Sequence, residues 1–125
     1  MKLNYIILYV EDVSEALLFY RDAFELDVKF IHESKLYGEL KTGETILAFS
    51  DKKFVSESLG IEIDLEKRSS FEIAFSVVDV ESAYKYALKK GAKPFHPPEQ
   101  KPWGQTVAYV RDPFGTIVEI CSPIE

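Results

Sequence analysis

The chain has 125 residues, of which 46% are hydrophobic and 29% charged, with a net charge of −6. That is enough apolar material for one compact domain, or two small halves sharing a core, and too much for a disordered chain. The negative balance argues against a general affinity for nucleic acid or anionic membrane, and no apolar run approaches the ~20 residues of a membrane span.

The start, Met-Lys-Leu-Asn-Tyr5, leads straight into a strand pattern and carries no small-residue cleavage site. Leu3 to Val10 is rich in Tyr, Ile, Leu and Val, with Tyr5, Ile7 and Tyr9 on one face and Ile6, Leu8 and Val10 on the other. Asp12 and Glu15 have capping-box spacing, and apolar residues at helical intervals from Ala16 to Phe24 predict a helix over 13–25. Val28 to His32 reads as a strand. Leu36 to Lys41 and Thr45 to Phe49 read as a hairpin around Thr42-Gly43-Glu44. Residues 51–70 are charged and aperiodic, which reads as a linker with some local structure.

Phe71 to Val78 is again a strand, and Asp79 opens a helix predicted over 80–90, with Gly91 placed to cap its end. Lys93 to His96 is expected to be a short edge strand because of Pro94. Pro97 to Gly104 reads as a stiff loop. Gln105 to Cys121 reads as two strands joined by a tight turn at Asp112-Pro-Phe-Gly115. Alternation sets Glu119 on the face of Ile117 and Cys121, and a carboxylate there needs a partner, water or a ligand. Cys121 is the only cysteine, so no intrachain disulfide forms, which suits a reducing cytoplasm.

The two halves repeat each other. Val10, Asp12, Val13 and Ala16 match Val77, Asp79, Val80 and Ala83 at constant offset. Thr45-Ile-Leu-Ala-Phe49 aligns with Thr116-Ile-Val-Glu-Ile120, and Val28 to His32 resembles Ala92 to His96. Each half reads strand-helix-strand-strand-strand, an α+β pattern in which duplicated units complete one another. One domain over 1–125 is expected, with module one at about 1–50, the linker at 51–70 and module two at 71–125.

This duplicated order, with the phrases Val-Glu-Asp-Val-Ser-Glu-Ala-Leu-Leu-Phe-Tyr-Arg-Asp22 and Tyr-Val-Arg-Asp-Pro-Phe-Gly-Thr-Ile-Val-Glu-Ile120, resembles the glyoxalase / bleomycin resistance / extradiol dioxygenase superfamily, the vicinal oxygen chelate folds. The resemblance implies tandem βαβββ modules whose curved sheets enclose a cavity, commonly in a homodimer. It leaves the chemistry open, because one fold hosts many activities.

Metal-dependent members place His or Glu ligands on the first and last strands of each module. The resemblance carries those positions to Tyr5, Ala48, Glu72 and Glu119. Only Glu72 and Glu119 are good ligands, and two carboxylates suit Mg or Ca better than Zn, Ni or Fe. No cofactor is expected; a divalent metal, were one bound, would rest on Glu72 and Glu119. Should those two carboxylates meet, repulsion would raise one pKa, and they could share a proton or recognise a cationic or hydroxyl-bearing ligand.

Trp103, in the Lys-Pro-Trp-Gly-Gln phrase, and Tyr109 have two readings. They could stack on a ligand, as aromatic side chains do in resistance-type relatives, or Trp103 could pin its loop or a dimer contact. His32 and His96 fall at matched points of the repeat, which suggests a fold position. The favoured expectation is a cytoplasmic, metal-independent small-molecule-binding homodimer of the drug-sequestering type. Its ligand cavity would be lined by Tyr5, Tyr9, Glu72, Trp103, Tyr109 and Glu119, and neither nucleic acid nor membrane would be a partner. The rivals are a lyase, isomerase or dioxygenase with a non-standard metal site, and a regulatory or interaction domain without a pocket.

Overall fold

A computed structural model describes residues 1–66 and 71–123. The end of the stretch read as a linker, residues 67–70, lies outside them. The chain forms two compact units, Met1–Leu65 and Glu66–Glu125. The first contains β1 (Tyr5–Val10), α1 (Val13–Phe24), β2 (Asp27–Ile31), β3 (Tyr37–Lys41), β4 (Ile46–Asp51) and α2 (Lys52–Leu59). The second contains β5 (Glu72–Ser76), α3 (Val80–Lys89), β6 (Lys93–Gln100), β7 (Thr106–Arg111) and β8 (Ile117–Cys121). Each unit builds one four-stranded mixed sheet, ordered β1-β4-β3-β2 and β5-β8-β7-β6. The α+β, twice-repeated architecture is therefore as the sequence predicts.

The helix entrances follow from side-chain capping. Asp12 accepts from the Glu15 amide and Asp79 from the Ser82 amide, each satisfying an otherwise orphaned donor. In the first unit α1 lays Leu17 and Tyr20, both fully buried, on the sheet face that carries Leu8, Val10, Leu40, Leu47 and Phe49. The Tyr20 and Phe49 rings lie 5.1 Å apart. Burying each such side chain stabilises the unit by about 1.5–3 kcal/mol. Gly38 lets the helix come close: a Cβ there would stand 2.3 Å from Leu17 Cδ1 and 3.3 Å from the Phe30 carbonyl oxygen. The second unit repeats the arrangement, with Val80, Tyr84 and Ala87 of α3 buried and Ala108, Val110, Val118 and Ile120 buried on the strands beneath.

Three expectations need correction. The stretch read as a linker begins with a helix, α2, capped by the Asp51 side chain on the Phe54 amide and closed by Gly60 at φ 67°. Its eight residues carry one buried side chain, Val55, too little periodicity to be seen in a charged context. Pro97 and Pro98, expected in a loop, extend β6 to Gln100. They are tolerated because β6 is an edge strand and its register shifts twice, between Pro94 and His96 and between His96 and Glu99. The strand registers also correct the repeat alignment, since β2 shifts between Val28 and Phe30 just as β6 shifts between Pro94 and His96. His96 stands opposite Tyr109 as Phe30 stands opposite Glu39, so Phe30, not His32, is its counterpart.

Candidate functional site

The tight turn after β7 sets the register on which the site depends. Asp112, only 2% exposed, accepts from the amides of Phe114 (2.9 Å) and Thr116 (2.7 Å), while its backbone carbonyl accepts from the Gly115 amide. Gly115, at φ 94°, occupies backbone space that a side chain would resist. The hairpin so fixed pairs Tyr109 with Glu119 and Arg111 with Ile117. Parallel β5 then sets Ala74 beside Glu119 and Glu72 beside Ile117, while β6 sets His96 beside Tyr109 and Lys93 beside Arg111. Directly paired residues share a face. The face turned away from α3 therefore carries two adjacent rows, Glu72-Ile117-Arg111-Lys93 and Ala74-Glu119-Tyr109-His96.

On this face the Tyr109 hydroxyl donates to Glu119 Oε1 at 2.9 Å. The His96 ring meets Tyr109 edge-on, with centroids 5.9 Å apart, and the Arg111 guanidinium carbon lies 4.3 Å from the centre of the Phe95 ring. The hydrogen bond to Glu119, together with partial burial, pushes the Tyr109 phenol up to about 12. The Glu72 carboxyl is raised, first by desolvation and then by the charge of Glu119; its side chain is largely exposed, so water screens much of that repulsion. Cys121, 5% exposed, is raised by burial and by Glu119, and its thiol faces the Phe75 carbonyl at 3.6 Å. A buried thiol held protonated is a poor nucleophile.

Tyr5 and Tyr9 belong to the first unit, on its face turned away from α1, with Tyr5 opposite Ile46 and Tyr9 opposite Ser50. Both rings are exposed. That face also carries an arrangement the sequence did not advertise. Glu39, 6% exposed, accepts from the Tyr37 hydroxyl at 2.7 Å and faces Lys29 Nζ at 3.6 Å. Burial, followed by the Glu39 contact, raises the Tyr37 phenol. A tyrosine–glutamate pair thus occurs once in each unit, although by register Glu39 is the counterpart of Tyr109 and not of Glu119. The signal available beforehand was a carboxylate between Gly38 and Leu40 on the same strand face as a tyrosine.

Trp103 lies between β6 and β7. Its indole N–H donates to Gln105 Oε1 at 2.9 Å, and Gln105 donates in turn to the Ser122 carbonyl at 2.8 Å. The loop is tied to the end of β8 while the indole stays 65% exposed. His32 lies just beyond β2, where its Nδ1 bonds the Ser34 hydroxyl and accepts from the Ser34 amide; this is a local turn.

The strand registers align Tyr5 with Glu72 and Ala48 with Glu119, so the four positions implied for metal ligands are structurally equivalent in pairs. Their chemistry does not suit a Zn, Ni or Fe centre. They offer a phenol, a methyl group and two carboxylates, without an imidazole or thiolate, and Glu119 already takes the Tyr109 hydroxyl. Among the described residues no three His, Cys, Asp or Glu side chains come together in a way that could hold a metal ion.

The profile of the glyoxalase-like domain matches residues 3–125. The chain is 32% identical over 124 residues to YraH, an uncharacterized Bacillus subtilis (strain 168) protein, covering 96% of this chain and 97% of that one. The fold is shared with a glyoxalase-related enzyme from Fulvimarina pelagi, at TM-score 0.86 and 21% identity, covering 98% of this chain and 88% of that one. It is also shared with a glyoxalase/bleomycin resistance protein/dioxygenase family enzyme from Burkholderia phytofirmans PsJN, at TM-score 0.83 and 20% identity, over 98% of both chains.

Proposed function

Because the chain belongs to the family of glyoxalase-like domains, within the glyoxalase/bleomycin resistance/dioxygenase superfamily, we propose that it is a small-molecule-binding protein of the drug-sequestering kind that works without a transition metal. The observation that carries this reading is Glu119. It occupies the position a metal ligand would take in metal-dependent relatives, yet it is held by the Tyr109 hydroxyl and has no imidazole at any matching position. A half-buried carboxylate, fixed by a phenol and bordered by Ala74 on one side and an aromatic ring on the other, is suited to accept a donor from a ligand. Trp103, with its indole N–H anchored and its ring exposed, is a nearby stacking surface in sequence. We further propose a cytoplasmic homodimer. The exposed apolar residues of the edge strand β1, namely Tyr5, Ile6, Ile7 and Tyr9, support partner binding.

The test combines metal analysis with ligand titration. Purified protein is expected to contain no stoichiometric Zn, Ni or Fe, and chelator to leave its melting temperature unchanged. In a screen of aromatic amines and uncharged aromatics, compounds that raise the melting temperature and quench Trp103 fluorescence are expected to bind roughly tenfold more weakly to Glu119→Gln. One equivalent of tightly held Zn, Ni or Fe, lost in Glu119→Gln, overturns the proposal.

A further inference from the structure

Opposite charges share the face turned away from α3 without pairing. Glu72, largely exposed, makes no hydrogen bond or ion pair among the described residues, and its nearest charged influence is the like charge of Glu119. Arg111 sits in the same row as Glu72, beyond Ile117. It makes no ion pair among the described residues, and its guanidinium is stacked on Phe95. The two positions are separated by two strand spacings, ~10 Å. The contact with Phe95 draws the guanidinium toward β6, away from the carboxylates, and a ring face takes up none of its N–H donors in a conventional hydrogen bond. Between the charges the floor is Ile117 and the flank of Tyr109, one apolar and one amphipathic, both half-buried.

We infer that this face is specific for an elongated zwitterion: an amine seated at Glu72 and Glu119, a carboxylate taken by Arg111, and an apolar middle laid over Ile117. The inference deepens the binding role proposed above and rests on it. A lone amine would satisfy the acidic end and leave Arg111 unused. A lone carboxylate would be drawn to Arg111 and repelled by two glutamates. A ligand with both charges too close together could not reach both ends. The planar fork of Arg111 matches a carboxylate in two-point contact, which a lysine would not reproduce.

Calorimetric titration with 6-aminohexanoate, hexylamine and hexanoate tests the inference. The zwitterion is expected to bind roughly tenfold more tightly than either single-charge analogue, the equivalent of one charged contact. Arg111→Met should abolish the preference for 6-aminohexanoate over hexylamine when both are titrated into that variant, while Arg111→Lys should keep part of the preference. Glu72→Gln combined with Glu119→Gln should bring 6-aminohexanoate down to the level of hexanoate. Melting temperature checks that each variant is folded. Absence of 6-aminohexanoate binding, hexylamine binding as tightly, or indifference to Arg111→Met overturns the inference. Should hexylamine bind in a Glu119-dependent way while Arg111 has no effect, this inference fails and the small-molecule-binding reading stands. Should no compound of any charge depend on Glu119, the broader reading fails as well.

Discussion

The hydrogen bond from Tyr109 to Glu119 joins a neutral donor to an ionised acceptor, so it favours the protonated phenol of the folded state. A phenol raised from 10.0 to about 12 binds its proton more tightly folded than unfolded. Its contribution to stability is therefore complete below pH 10 and is lost as pH rises from 10 through 12, because the unfolded chain releases the proton first. The difference in phenolate absorbance between the wild type and Tyr109→Phe isolates this group, and in Glu119→Gln its titration should move back toward 10. Both side chains were legible as residues of interest from strand alternation. Their partnership was not, because it depends on a cross-strand register that Asp112 fixes through two amides. Glu39 shows the converse. Along the strand it looks like any solvated glutamate, and only the approach of Tyr37 and of Lys29 makes it a buried, satisfied carboxylate.

At the level of elements, the close approach of α1 to β3 depends on the missing side chain at Gly38. Gly38→Ala drives a methyl group against Leu17, which is fully buried, and toward the fixed Phe30 carbonyl. It should destabilise the protein by about 1–3 kcal/mol, measured by denaturant unfolding. For α2 the controlling residue is Asp51. Asp51→Ala removes the acceptor for the Phe54 amide and should cost about 0.5–2 kcal/mol of local stability, read as faster hydrogen exchange at the amides of residues 54–59. The helices α1 and α3 could be read from sequence because a capping aspartate, an apolar stripe and a terminal residue in each agree. The short α2 has the cap and the closing glycine but almost no apolar stripe, so a charged composition obscured it. β6 was cut short for a related reason. Proline is a strong argument against a strand in general and a weak one at an edge, and the edge is known only once strands are ordered.

On the scale of the whole molecule, the duplication is evident in both sequence and register. Tyr5 is to Ile46 as Glu72 is to Ile117, which is why the repeat predicted equivalent positions correctly on the first and last strands of each unit. It failed for β2 and β6, where matching Val28–His32 with Ala92–His96 runs two residues out of the register, which makes Phe30 the counterpart of His96. The apolar exposure of β1 leads to one expectation for the assembly: sedimentation at micromolar concentration should give a species near twice the 14.3 kDa chain mass, and polar substitutions at Ile6 and Ile7 should shift it toward the monomer. The two sheets also differ in how far their margins can grow. β6 carries Pro94, Pro97 and Pro98, none of which has an amide hydrogen, whereas the other three edge strands, β1, β2 and β5, contain no proline at all. A misfolded neighbour seeking a template for cross-β growth meets a row with missing donors along β6 and a regular, proline-free one along β1 and β5. Fibrillar misassembly of this protein, under conditions that loosen it, should therefore start from a proline-free margin, β1 or β5, and not from β6.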